Sequence, residues 1–444
     1  MESKAMFTRK DIIKLLFPLI VEQLLNVLVG MVDVVMVAAV GETAVSGVSL
    51  VDSISLLIIQ MLAALATGGS VVCAQFIGKK NTEKACQAAG QLVIVTMMVS
   101  MAVACVALIG NRSLLGLIFG KVEDAVMENA MIYFWLSALS YPFLAVYNSC
   151  AALYRAMGNS KISMYASMAM NLINVVGNAI CIFGLHMGVE GVGIPTLVSR
   201  AFAAVLMLVL IQRPQNMVRI QNIRALRIDG KMIRNILNVG VPNGMENTMF
   251  QFGKLFLQSL VSSLGTVAIA SYAVAHNLVT FQYLPGNAIG LGIITIVGQC
   301  IGAGEWEQAK SYTKKLVVLN YGLLLVICTT MILLRHPLVG IYNLSPEASE
   351  TAARMILAHS MAMIVWPFAF TLPYSLRASF DAPFTMYVSV ASMWIFRIGF
   401  AYLFVVVLKQ GVLGVWYGMF IDWAVRAMVF GWRFHGFGKR RRTA

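Results

Sequence analysis

The sequence predicts an all-α polytopic membrane protein of twelve transmembrane helices, built as two six-helix lobes related by a parallel, pseudo-twofold repeat. Three observations carry this prediction. Of 444 residues, 59% are hydrophobic and only 12% charged, whereas soluble domains carry about 25% charged residues. About twelve apolar stretches reach the roughly 20 residues that a bilayer crossing requires. The second half of the chain also repeats the first at a nearly constant shift.

The crossings begin near Ile12, Val45, Gln87, Ala130, Ile162, Gly191, Ile236, Val267, Tyr312, Ala352, Thr385 and Gly411. The first holds Pro18, Glu22 and Asp33, is far longer than the apolar core of a cleaved leader, and lacks a small-residue cleavage site after it. It is expected to remain as a helix. Short connections leave no room for a sizeable soluble domain. Seven cysteines, mostly inside apolar stretches and without Cys-x-x-Cys or Cys/His metal spacing, read as small packing residues. Pro18, Pro142, Pro195, Pro242, Pro285, Pro367 and Pro373 interrupt their helices, which a membrane protein tolerates when neighbours satisfy the freed backbone. Pro18 and Pro195, flanking the Asp33 region, are expected flexing points.

The formal net charge is +14. With both termini in the cytoplasm, twenty-four Lys and Arg fall on the cytoplasmic side, five on the other and four within the membrane. This is the positive-inside asymmetry, so the charge reports topology and not a nucleic-acid partner. The cytoplasmic set includes Lys4, Lys79, Lys80, Lys84, Arg155, Arg377, a basic linker and the tail ending in Lys439 to Arg442. The division is a first lobe at 1–212, a linker at 213–235, a second lobe at 236–432 and a tail at 433–444.

A shift of 224 carries Pro18 to Pro242, Glu22 to Glu246, Gly41 to Gly265 and Gln75-x-Ile77-Gly78 to Gln299-x-Ile301-Gly302. The shift then drifts by one or two, so that Arg155-Ala156 meets Arg377-Ala378 and Gly188-Val189 meets Gly411-Val412. Six crossings per half is even, so both halves enter from one side, a parallel-repeat design used by transporters. No GxxxxGK[ST] loop, HExxH or Ser/His/Asp arrangement occurs, which argues against ATP-driven pumping and hydrolysis. The chain does not read as an enzyme.

The segments GMVDVVMVAAVG in the first crossing, QFIGKKNTEKA after the second, YRAMGNSK after the fourth, LINVVGNAICIFG in the fifth and GVGIPT in the sixth carry a family resemblance. VGQCIGAGEWEQAK after the eighth and LRASFDAPF after the tenth extend it over essentially the whole chain. The sequence resembles the multidrug and toxic compound extrusion (MATE) family of cation-coupled antiporters. The major facilitator class also has two parallel halves, but its Asp-Arg-x-Gly-Arg-Arg loop is absent, the position reading Gly78-Lys79-Lys80-Asn81.

Ionisable groups at membrane depth are costly and are functional candidates by default. Here they are Glu22, Asp33, Asp52, Arg200, Glu246, Lys254, Arg397, Asp422 and Arg426. Asp33 stands out because its repeat counterpart is Leu257, so symmetry does not require it. Burial disfavours the charged form of a carboxylate, which is what a proton-loading group needs. The resemblance implies a cation site at Asp33 with partners Asn174, Asn178 and Thr196. Some family members have aspartate at the position of Asn178, and the departure leaves a proton or a sodium ion at Asp33 equally open. The alternative is a polar network that only locks helices together.

Glu22 lies eleven residues before Asp33, on the same helix face and about 16 Å away. With Glu246 it suggests paired acidic groups in a substrate cavity, or else bonds to freed backbone or the opposite lobe. Asp52 aligns with His276, and the two lie on crossings that line the cavity in the family. Tyr141, Tyr283, Trp366 and Tyr374 complete the cavity candidates, since aromatic faces suit flat lipophilic cations. Asp422 and Arg426 are four apart and are expected to pair. The second-lobe sodium site of some relatives is not carried over, because the position one turn beyond Glu246 holds Phe250 and Gln251.

The expectation is therefore a proton- or sodium-coupled exporter of small organic cations or drugs, without a resident cofactor, monomeric among membrane lipids in the plasma membrane. The alternative is a flippase for a lipid-linked precursor.

Overall fold

The computed structural model describes residues 5–120, 123–220 and 228–437. Lys4, Lys121, Arg224, Arg227 and the basic residues Lys439 to Arg442 of the charge map, with the middle of the linker, lie outside the described residues. Within them all regular structure is helical. The first half comprises α1 (Arg9–Ala38), α2 (Glu42–Gly78), α3 (Thr82–Ile109), α4 (Asn111–Phe119), α5 (Asp124–Ala156), α6 (Ser160–Ala179) and α7 (Glu190–Ile211). The second comprises α8 (Gly230–Ser262), α9 (Thr266–Gly302), α10 (Trp306–Gly340), α11 (Pro346–Ala362), α12 (Pro373–Ala378), α13 (Ala382–Ala391), α14 (Gly399–Tyr402) and α15 (Val412–His435).

Among the described residues ten helices are long and apolar enough to cross a bilayer. The pair Pro346–Ala362 and Pro367–Ala378, bent by 65°, makes an eleventh crossing. The bend falls at Pro367, whose ring cannot continue the hydrogen-bond ladder. With 33 residues α8 has the length for the twelfth. Hydropathy alone does not mark it, because it carries Asn243, Glu246, Asn247, Gln251 and Lys254. The short α4 is a helix that the apolar pattern did not suggest.

Helix ends follow local chemistry. The Asn81 side chain accepts a bond from the Lys84 N–H at 3.0 Å and starts α3. Ser345 does the same for Ala348 at 3.3 Å, with Pro346 at the first helical position of α11. Left-handed turn residues recur through the repeat: Lys80 (φ 56°) corresponds to Gly304 (φ 80°), and Gly158 (φ 80°) to Phe380 (φ 61°).

The chain forms two compact units, Arg9–Gly244 and Met245–Ala444, the second joined by the residues before Arg9. The Met6 N–H donates to Gln308 Oε1, and the Phe7 ring meets Tyr312 edge-on at 5.8 Å. In the first unit α5 packs against α2, α3 and α7, while α1 and α7 both pack on α6. The first turns of α8 join this unit because Gly68 of α2 leaves no room for a side chain: a methyl there would stand 2.5 Å from the Ile236 carbonyl. In the second unit α9 packs against α10 and α11, and α15 against the crossing formed by α13 and α14. π-helical turns interrupt these crossings at Ile180–Gly184, Pro367–Thr371, Ser392–Ile398 and Leu403–Val407.

Candidate functional site

A cavity of about 350 Å³ opens in the first unit among α1, α2, α5, α6 and α7. Asp33, Asp52, Tyr133, Asn174, Thr196 and Arg200 line it. Its shape depends on a close helix approach. A methyl on Gly177 would stand 2.7 Å from Pro195 Cβ, so only glycine lets α6 come this near to α7. That contact brings Asn174 and Asn178, four apart on α6, beside Thr196 on α7.

A hydrogen-bond chain follows. Asn178 Nδ2 donates to Asp33 Oδ1 at 3.1 Å and contacts Asn174 Oδ1 at 3.4 Å. Asn174 Nδ2 donates to Thr196 Oγ1 at 3.0 Å, and Thr196 Oγ1 donates to the Val192 carbonyl at 2.9 Å. The structure thus brings together Asp33, Asn174, Asn178 and Thr196 from three helices. Asn178 Oδ1 is buried without a hydrogen-bond partner among the described residues. Across the cavity Tyr133 donates to Asp52 Oδ1 at 3.2 Å, and Arg200 Nη1 donates to Ser140 Oγ at 2.7 Å. Arg200 is a pocket residue to which sequence reasoning gave no role. Tyr141 is fully buried and bonds Ser55 at 2.9 Å. No group of three or more His, Cys, Asp or Glu comes together among the described residues, so any ion here would rely on Asp33 with amide and hydroxyl oxygens.

Glu22 and Glu246 each meet an arginine of their own unit. Ser163 donates to Glu22 Oε2 at 3.0 Å, and Arg155 Nη1 lies 3.7 Å from Oε1. Arg377 Nη2 donates to both Glu246 oxygens at 2.9 Å, and its guanidinium lies 4.9 Å from the centre of the Tyr374 ring. The sequence held this signal, since glutamate and arginine are repeated together.

The remaining candidates lie in the second unit. Trp366 is buried, stacked on Phe370 at 5.2 Å, and 5.7 Å from Tyr283. Tyr283 bonds His359 Nε2 at 2.6 Å, and the other nitrogen of that buried imidazole faces Gln282 Oε1 at 2.7 Å. These aromatics form a packed cluster with Trp423. His276 is half-buried and stacks on Tyr272 at 5.9 Å. Asp422 pairs with Arg426 at 2.7 Å as the spacing predicted, and also with Arg397 at 3.0 Å.

A duplicated bundle of apolar crossings, with a polar constellation gathered around the half-buried Asp33 between them, has the architecture of a membrane transporter. The family model described as MatE matches residues 18–180 and again 242–403, one copy per half. The chain belongs to this family of MATE transporters, and it is a multi-pass membrane protein. It is 26% identical over 427 residues to the uncharacterized transporter YisQ of Bacillus subtilis, covering 94% of this chain and 92% of that protein. To a probable multidrug resistance protein NorM of Thermotoga maritima it is 25% identical over 422 residues, covering 93% and 89%. Among solved structures, the outward-facing conformation of a multidrug resistance MATE family transporter superposes with a TM-score of 0.91 at 20% identity. That likeness covers 97% of this chain and 96% of the other, and shows the shared fold.

Proposed function

We propose that this protein is a cation-coupled antiporter that exports small organic amphiphiles by alternating access, with the coupling ion taken up at Asp33. The observation that carries the reading is the bonded chain from Asp33 through Asn178 and Asn174 to Thr196, which ties α1, α6 and α7 to the state of one carboxylate. As a carboxylate, Asp33 accepts the Asn178 amide hydrogens. Once protonated it gains one O–H donor, and rotation of the Asn178 amide by a half turn would present its unpartnered Oδ1 as an acceptor for that hydrogen. The same rotation would point that oxygen at a sodium ion held by Asp33, so the arrangement serves either ion.

Coupling requires that the ion and the substrate favour different conformations. Rearranging this chain changes how α1 meets α6, which supplies the needed difference. The relatives, probable multidrug resistance proteins among them, support drug-like substrates. Two carboxylates against Arg200 in the first-unit cavity suit the coupling cation. The excess of Lys and Arg on one set of loops supports cytoplasmic termini in the plasma membrane, and the protein is proposed to work as a monomer.

The test is efflux of a fluorescent lipophilic cation from proteoliposomes under an imposed pH gradient and then a sodium gradient. Efflux driven by one gradient identifies the ion. Efflux driven by neither sinks the proposal.

A further inference from the structure

Several residues that line the first-unit cavity have repeat counterparts of different charge in the second unit. The 224 shift carries Gly30 to Lys254, Asp33 to Leu257 and Asp52 to His276. The 223 shift that aligns Gly188 with Gly411 carries Asn174 to Arg397 and Ser199 to Asp422. The two acidic positions have lost their carboxylates, and cations have entered at two neutral ones.

The local fold brings these residues together. Gly253 lies against Met393, where any side chain would overlap, so α8 closes onto the π-helical turn Ser392–Ile398 that carries Arg397. Gly418 brings α15 against the same crossing, since a methyl there would stand 2.6 Å from the Arg397 carbonyl. One turn later Asp422 meets Arg397 and Arg426. Three cations then converge on one ring: Lys254 Nζ lies 5.1 Å from the centre of Phe250, Arg397 Cζ 4.9 Å and Arg426 Cζ 5.5 Å.

Asp422 is the one carboxylate in an ion pair with this cluster among the described residues. Arg397, Arg426 and Ser392, whose Oγ lies 2.5 Å from Oδ1, surround it. Arg426 also spends Nη2 on the Ser389 carbonyl. Lys254 makes no ion pair among the described residues. Arg397 meets Asp422 through Nε, 3.0 Å from Oδ2, and a guanidinium can offer its terminal nitrogens to an oxyanion. Lys254, Phe250, Tyr272 and His276 are half-buried while Arg397 is buried, so Lys254 is the accessible edge of the cluster. An excess of cations at membrane depth is unfavourable, and a bound anion offsets it.

We propose that Lys254 and Arg397 form a binding subsite for the anionic group of an organic amphiphile, its apolar part lying on Phe250 and Tyr272. Carboxylates and lipid phosphates share the required chemistry. This deepens the export reading by naming a substrate class, and rests on it for its biological sense.

The experiment is calorimetric titration of purified protein with 1-naphthoate and with 1-naphthylmethylamine, which match in ring and differ in charge. The wild type should bind naphthoate more tightly than the amine. Lys254→Met should weaken naphthoate by about tenfold or more, the scale of a hydrogen bond to a charged group, and Lys254→Arg should restore it. A phosphatidylglycerol competitor separates the sources: displacement of naphthoate assigns the site to a lipid headgroup, and undisturbed binding to soluble organic anions. Absence of any preference for naphthoate in the wild type overturns the proposal without recourse to a variant, as does unchanged naphthoate binding by a folded Lys254→Met protein. Asp33→Asn should bind naphthoate normally while losing gradient-driven flux, so the two readings fail separately.

Discussion

Two sets of residues tell different stories when the two halves are compared. Glu22 with Arg155 and Glu246 with Arg377 are the same device twice. The left-handed turns at Lys80 and Gly304, and at Gly158 and Phe380, also recur. Elsewhere in the same helices the repeat pairs Asp33 with Leu257 and Gly30 with Lys254. The repeat conserves the frame, and the chemistry that needs one charge in one place has escaped symmetry.

The sharpest way to break this comparison is at Asp422. Asp422→Asn would leave Arg397 and Arg426 buried without a counter-charge, which should cost about 3–5 kcal/mol. The expected outcome is little monodisperse protein on size-exclusion chromatography. A stable, well-behaved variant would show that the cluster tolerates a further positive charge without compensation.

The shared Glu–Arg device can be graded next. Glu246 accepts two close bonds from a buried arginine, whereas Arg155 sits 3.7 Å from Glu22 and is more exposed. Glu246→Gln should therefore lower stability by about 3 kcal/mol and Glu22→Gln by about 1 kcal/mol, read as losses in melting temperature of the detergent-solubilised protein. Equal losses would mean that the geometric difference carries no energy.

Gly177→Ala tests the packing that builds the first cavity. The added methyl forces α6 off Pro195, an overpacking cost of about 1–3 kcal/mol. Transport should fall further than stability, because Asn174 and Asn178 move with the helix. Wild-type transport by this variant would separate the helix contact from the site. The smallest effect is expected at Phe380, whose left-handed backbone costs about 1 kcal/mol. Phe380→Gly, copying its repeat partner Gly158, should raise the melting temperature slightly, and a drop would point to packing by the ring instead.

Much of this frame is legible in the sequence, because crossing length, proline placement and the repeat are local or periodic signals. The Asp33 constellation was reachable through the motifs around it, and its residues meet in one hydrogen-bond chain. Arg200 and Arg397 were not readable. Neither has an acid at helical spacing, and what each touches depends on how α7 and the π-helical turn before α14 pack. Such π-helical turns leave no mark in hydropathy. In α8 the polarity that gives the second unit its chemistry also hides the helix as a crossing.

The most direct measurement of the central claim compares uphill transport with gradient-free exchange in proteoliposomes for wild type and Asp33→Asn. Gradient-driven accumulation should fall to background in Asp33→Asn, while exchange of labelled for unlabelled substrate persists, because the fold and the substrate path remain and only the coupling group is lost. Wild-type accumulation by Asp33→Asn would contradict the account.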